Sequence, residues 1–267
     1  MKANGILALL TDFGTTDWYV ASMKATAISA NPSISLVDIT HEVTPGSIPE
    51  GAFVLNRCYN DFPNGTTFLV VVDPGVGTAR EAMIVKAGDY YFVGPNNGVL
   101  FPVVCQFDEI EAVQIEHPDW LGAKSSNTFH GRDVFAPAAS RLAGGASFRD
   151  AGNPIDKLTS FKFPIPSNQN GKPIGQIIYF DRYGNGLTNL LPSHLDAEEL
   201  VGLRVSDTLF PVANTFGEVD EGTPVSYWGS SGFIEVAVRN QSAQLGFDLT
   251  TGDTVIPVYK ATKGLLS

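Results

Sequence analysis

Along its first 72 residues the chain alternates short apolar runs with segments whose apolar positions recur at helical spacing. Residues 5–11 (GILALLT) form a continuous apolar run of strand length, and residues 18–30 follow with apolar positions three or four apart. Residues 35–39 read as a second strand, 48–58 as a second helix and 67–72 as a third buried strand. Strands that are apolar throughout and alternate with helices predict an α/β N-terminal domain with a mostly parallel sheet flanked by helices. Between residues 147 and 171 the chain turns polar and rich in breakers, with Pro154, Pro164, Pro166 and the run Ser167-Asn168-Gln169-Asn170-Gly171. Beyond it, residues 174–180, 200–205, 225–228, 233–238 and 254–259 are short strand-like segments with turn residues between them. The expected organisation is an α/β domain over 1–160, a linker over 161–171 and a smaller, mainly-β C-terminal domain over 172–267, barrel-like or a sandwich.

Composition narrows the function classes. A chain of 267 residues that is 43% hydrophobic can bury one large core or two modest ones. A net charge of −11 leaves no basic surface to neutralise phosphates, which disfavours nucleic acid and anionic membranes as partners. The apolar stretch at residues 6–10 is too short for a signal-peptide core, and no run reaches the length of a membrane span, so the expected compartment is the cytoplasm. Cys58 and Cys105 both sit in apolar surroundings and read as buried free thiols. No pair of histidines, cysteines or carboxylates shows metal-ligand spacing, so no metal is expected.

The polar residues that carry chemistry fall in loops after buried runs. Asp12 directly follows the first strand, where its carboxylate can accept both hydrogen bonds of a vicinal diol such as that of a ribose. Asp17, or its neighbour Thr16, either caps the next helix or serves a ligand. Asp73-Pro74-Gly75-Val76-Gly77-Thr78-Ala79-Arg80 follows the third strand, and its Asp73 and Arg80 are either a structural ion pair or part of a site. His130, in Thr128-Phe129-His130-Gly131-Arg132-Asp133, adds a titratable imidazole just before a predicted helix that Asp133 would cap. In the second half, Asp181-Arg182-Tyr183-Gly184-Asn185 reads as a turn or as a polar clamp, Phe216 as core or as a stacking face, and Ser230-Ser231-Gly232 as a loop able to donate hydrogen bonds to a carboxylate.

Taken in order, Thr11-Asp12-Phe13-Gly14, Asp38-Ile39-Thr40-His41, Val72 to Gly77, Gly94-Pro95-Asn96-Asn97-Gly98, Thr128 to Asp133 and Asp181 to Asn185 resemble the S-adenosyl-L-methionine hydroxide adenosyltransferases, relatives of the bacterial fluorinase and chlorinase. The resemblance covers nearly the whole chain. It implies a two-domain subunit in a homotrimer with active sites between neighbours, and hydrolysis of S-adenosylmethionine to adenosine and methionine with no metal or organic cofactor. It places Asp73, Arg80 and His130 on the catalytic set, Asp12 on the ribose diol, and Asp17, Asp181 and Ser230 on the methionine part. Tyr183, Asn185 and Phe216 would line the adenosine pocket, with Ser242 and Ala243 offering backbone contacts to adenine. Two positions depart from the halogenase pattern: Gly46 stands in place of an aromatic wall, and Ser231 in place of an arginine for the methionine carboxylate. Two other functions remain open: halide transfer to the same carbon, for which Gly131 leaves room, and a non-catalytic adenosine or S-adenosylmethionine sensor.

Overall fold

The computed structural model describes residues 2–123 and 126–260. By its internal contacts the chain divides into two compact units, residues 1–163 and 164–267.

In the first unit the elements run β1 (Ile6–Thr11), α1 (Tyr19–Ala30), β2 (Ser35–Thr40), α2 (Ile48–Cys58), β3 (Thr67–Val71), β4 (Ala82–Ala87), β5 (Tyr90–Pro95), α3 (Phe101–Val104), β6 (Ile110–Gln114) and α4 (Ala136–Ala143). The sheet order is β2-β1-β3-β5-β4-β6. Its β2-β1, β1-β3 and β3-β5 junctions are parallel, whereas β4 pairs antiparallel with both β5 and β6. The expected mostly parallel sheet is therefore present, with an antiparallel flank built from strands that the sequence reading did not place. Two apolar runs around Gly88-Asp89 form a hairpin in which Ala87 faces Tyr90, a recognisable two-residue turn pattern.

Side chains alternate between the two faces of a strand, so β1 feeds two cores. Leu7 and Leu9 pack with Met23 and Ala27 of α1 and with Ala138, Ala139 and Leu142 of α4. Ala8 and Leu10 face the other way, with Ala52 and Leu55 of α2 and Val103 and Val104 of α3. Because β1 lies between β2 and β3, the chain leaves its carboxyl end toward one neighbour while the other neighbour lies on the opposite side. That crevice is where open α/β sheets display ligand-binding loops, and Asp12 and Asp73 stand there, just beyond β1 and β3.

The second unit is mainly β, as expected: β7 (Ser167–Gln169), β8 (Lys172–Phe180), β9 (Gly186–Thr188), β10 (Leu200–Val205), β11 (Thr208–Pro211), β12 (Pro224–Trp228), β13 (Ile234–Val238) and β14 (Thr254–Tyr259), with a short helix α5 (Ala243–Gly246). The antiparallel order is β11-β10-β14-β8-β9-β13-β12, and β7 adds to β8. Its two ends approach each other, because Val212 bridges to Ser226 and the Ala213 amide donates to the Ser226 carbonyl at 2.9 Å. The sheet is thus nearly closed around Ile177, Leu203, Phe210, Ile234, Val236 and Val255.

Three local expectations are corrected. The residue preceding α1 is Trp18, which caps nothing, so neither Asp17 nor Thr16 closes that helix. Asp133 is not an N-cap either: it is the third residue of a π-helical turn, Gly131–Phe135, and lies buried against the Arg132 guanidinium. Cys105 is exposed at the end of α3 and Cys58 is half-buried, so neither is the fully buried thiol expected from sequence. Burial nevertheless pushes the Cys58 thiol up to about 11.

Candidate active site

In the first unit, Asp12, Asp73 and His130 line one cavity of about 400 Å³. Each is delivered by a different element. Asp12 follows β1, and its backbone N–H donates to the Val71 carbonyl on β3 at 3.4 Å. Asp12 Oδ2 accepts the Gly46 amide at 2.7 Å, with Gly46 at φ +75°, a conformation L side chains rarely adopt. The missing side chain at residue 46 therefore lets main chain reach Asp12. Burial raises the Asp12 carboxyl above its ordinary value, and Asp73 adds to this while the Gly46 N–H opposes it.

The aromatic surface of this cavity comes from elsewhere. Phe13, Tyr19 and Phe129 line it, and Tyr19 meets Phe129 edge to face at 5.3 Å between centroids. The room expected at Gly131 is occupied by one of these rings, since a Cβ there would lie 3.0 Å from Phe13.

Asp73, Arg80 and His130 are joined. Arg80 Nε donates to both Asp73 oxygens at 3.0 Å, and its Nη2 adds a further contact to Oδ2. The same Nη2 lies 2.8 Å from His130 Nδ1. Both members of the ion pair are partly buried, and the guanidinium also lies over the Phe135 ring at 5.2 Å. A guanidinium has no acceptor, so His130 Nδ1 receives its hydrogen and the neutral imidazole carries its own proton on Nε2. Burial and the Arg80 charge both hold His130 below the ordinary imidazole range. His130 directly precedes the π-helical turn, a distortion common at functional sites.

Of the remaining predicted residues, six line a cavity of about 840 Å³ in the second unit: Asp181, Tyr183, Asn185, Phe216, Ser230 and Ser242. Asp181 is oriented by its own turn, with Oδ1 accepting the Tyr183 and Asn185 amides and Oδ2 the Asn185 side chain, each at 2.9 Å. Tyr183 and Phe216 are 76% and 55% exposed, which removes the core reading of Phe216. Ser242 caps α5 through the Leu245 amide at 3.1 Å, and Ala243 is fully buried with its carbonyl taken by the Phe247 amide. Asp17 is exposed and is not among the residues lining either cavity.

Sequence reading missed Glu235 and Tyr227 in the second cavity. Glu235 is buried on β13, raised above the ordinary carboxylate value by burial, with Tyr227 bonded to it and Asp181 nearby. Ser231 donates to Glu235 Oε1 at 3.4 Å. A detectable signal was present: a lone charge between Ile234 and Val236, which both face the core, must point to the opposite face of its strand. Among the described residues, no group of three or more His, Cys, Asp or Glu side chains is arranged to hold a metal ion, and no helix is long and apolar enough to cross a membrane.

Comparison with known proteins identifies the family. Residues 7–152 match the SAM hydroxide adenosyltransferase N-terminal domain and residues 175–256 the C-terminal domain of the same family. An (R)-S-adenosyl-L-methionine hydrolase from Thermus thermophilus is 39% identical, over 91% of this chain and 95% of its own length. A crystal structure of an uncharacterized conserved protein from Thermotoga maritima superposes with a TM-score of 0.86 at 37% identity, covering 94% of this chain and all of that one. A fluorinase from Actinoplanes sp. is more distant, at 28% identity over 96% of this chain and 98% of its own. With both domains matched in order and close relatives covered nearly end to end, this chain belongs to the SAM hydroxide adenosyltransferase family.

Proposed function

We propose that this protein hydrolyses S-adenosyl-L-methionine, water attacking the ribose 5′ carbon to give adenosine and L-methionine. The observation that carries the reading is the joined Asp73, Arg80 and His130 set beside Asp12, at the ends of adjacent strands. The names of its near relatives support it. As water oxygen bonds to C5′, the C5′–S bond breaks with its electron pair going to sulfur, and one water proton leaves to solvent. The sulfonium is already a good leaving group, so the protein's task is placement, which contributes roughly 7–11 kcal/mol when reacting atoms are held in near-attack geometry. Asp73 offers its carboxylate oxygens as hydrogen-bond acceptors to the attacking water, and Arg80 cannot take a proton. His130, with Nδ1 filled, acts as a neutral N–H donor that orients the oxygen.

Asp12 holds the ribose diol. Asp181 and Ser230, with Asp17, hold the methionine part; Tyr183, Asn185, Phe216, Ser242 and Ala243 hold the adenosine. The working assembly is a homotrimer whose sites combine residues of neighbouring subunits, since Asp12, Asp73 and His130 lie in a cavity of one unit while Asp181, Phe216 and Ser230 lie in a cavity of the other. No metal or organic cofactor takes part. The compartment is the cytoplasm, where two unpaired cysteines are stable.

Incubation with S-adenosylmethionine of each sulfur configuration, with and without chloride and EDTA, followed by chromatography, tests the reaction, its nucleophile and its independence of metal. Adenosine and methionine in every condition are expected. A 5′-chloro-5′-deoxyadenosine product would establish halide transfer, binding without turnover would establish a sensor, and activity lost to EDTA but restored by zinc or magnesium would overturn metal independence.

A further inference from the structure

We propose that His41 is a positioning residue for Asp12, acting through Thr11, and that the chain of contacts Lys24, Asp38, His41, Thr11 sets how well the site recognises a ribose diol. This rests on the reading of Asp12 as the diol ligand. The segment that carries Asp12 is held from one residue at two points: Thr11 Oγ1 lies 2.8 Å from His41 Nδ1, and the Gly14 amide donates to the His41 carbonyl at 2.7 Å. The Phe13 amide donates to Thr11 Oγ1 at 3.3 Å. The hydroxyl is then free to give its hydrogen to Nδ1, which leaves the imidazole proton on Nε2.

That Nε2 lies 3.1 Å from Asp38 Oδ1, at ion-pair distance though outside hydrogen-bond alignment. Asp38 in turn accepts from Lys24 Nζ at 2.6 Å. Burial works to raise the Asp38 carboxyl, but Lys24 and His41 outweigh it and hold the group below its ordinary value. The arrangement has the composition of a hydroxyl, imidazole and carboxylate triad. Yet Thr11 is fully buried and His41 only 4% exposed, so neither can meet a substrate. Burying polar groups costs free energy unless they are bonded, and the Thr11–His41 contact, which pairs the Thr11 hydroxyl with Nδ1, fixes one geometry where apolar packing would tolerate several. What it fixes here is the carboxyl end of β1, one residue before Asp12.

The test is calorimetric affinity for adenosine and for 2′-deoxyadenosine, in the wild-type protein and in Asp12→Asn, His41→Leu, His41→Asn and Thr11→Val. Wild type should prefer adenosine, and Asp12→Asn, His41→Leu and Thr11→Val should each reduce that preference by roughly tenfold, the scale of one hydrogen bond to a charged group. His41→Asn, whose amide can take the place of Nδ1 opposite Thr11, should keep most of it. A purely structural role for His41 would weaken both nucleosides alike and leave the ratio unchanged. If Asp12→Asn removes the preference while His41→Leu and Thr11→Val retain it, the positioning role is wrong and the ribose role of Asp12 stands. If wild type shows no preference, or Asp12→Asn does not alter it, both fall together. Should His41→Leu not fold, the near-isosteric Thr11→Val decides.

Discussion

Arg80 and His130, fifty residues apart in the chain, meet through a 2.8 Å contact from Nη2 to Nδ1, and because a guanidinium only donates, this contact determines which imidazole nitrogen holds the proton. The same guanidinium grips Asp73 with two donors, so one side chain orients both of its neighbours.

Arg80→Lys separates a role in holding a turn from a role in the reaction. Lysine keeps the charge but has no planar fork, and a single ammonium cannot span Asp73 and His130 in the same geometry. Single-turnover rate should fall by roughly 10²-fold or more while substrate affinity changes little, as for a group acting mainly in the transition state. Wild-type turnover in this variant would remove Arg80 from the catalytic set.

The pH dependence follows from two shifted groups. His130 is held below the ordinary imidazole value, so it stays neutral to more acid pH than a free histidine, and the donor arrangement persists with it. Asp12 is raised above the ordinary carboxylate value, so it begins to protonate earlier than a free aspartate. The Asp12 shift moves the carboxylate limb of kcat/KM up from its ordinary position, whereas the His130 shift keeps the imidazole limb below about 6.5. A profile whose acid midpoint lies at or above that value would contradict the geometry of the Arg80 contact.

Gly131→Ser places a Cβ 3.0 Å from the Phe13 ring, which packs in the space beside the π-helical turn. Overpacking of this kind destabilises by about 1–3 kcal/mol. Denaturant titration should show that loss in the single variant and its partial recovery in Gly131→Ser/Phe13→Leu, a coupling expected of residues in contact. Independent, additive effects would mean that Phe13 does not fill that space in solution.

A composite site predicts complementation. Asp12→Ala and Asp181→Ala should each be inactive, yet a mixture allowed to exchange subunits should regain part of the activity, because some interfaces then combine two intact halves. Exchange demonstrated by mass spectrometry without recovered turnover would place each site within a single subunit.

Much of this was legible along the chain because it is local. An uninterrupted apolar run ends where a buried strand ends, so Asp12 and Asp73 could be placed at strand carboxyl ends, and the motif order alone indicated the family. Helix and strand positions such as residues 48–58, 200–205 and 254–259 follow from periodicity. What the sequence could not decide depends on partners distant in the chain. Whether Arg80 serves Asp73 alone or His130 as well is a matter of where the loop before α4 packs. That Gly46 would bring a backbone amide to Asp12, that Phe13 would fill the space at Gly131, and that Cys105 would lie exposed are likewise decided by packing. Glu235 escaped for the same reason: its alternation signal shows which face it occupies, but only the fold puts a cavity there, with Tyr227 and Ser231 beside it. Periodicity reports what one segment prefers, whereas a hydrogen bond between residues dozens of positions apart exists only once the segments between them have packed.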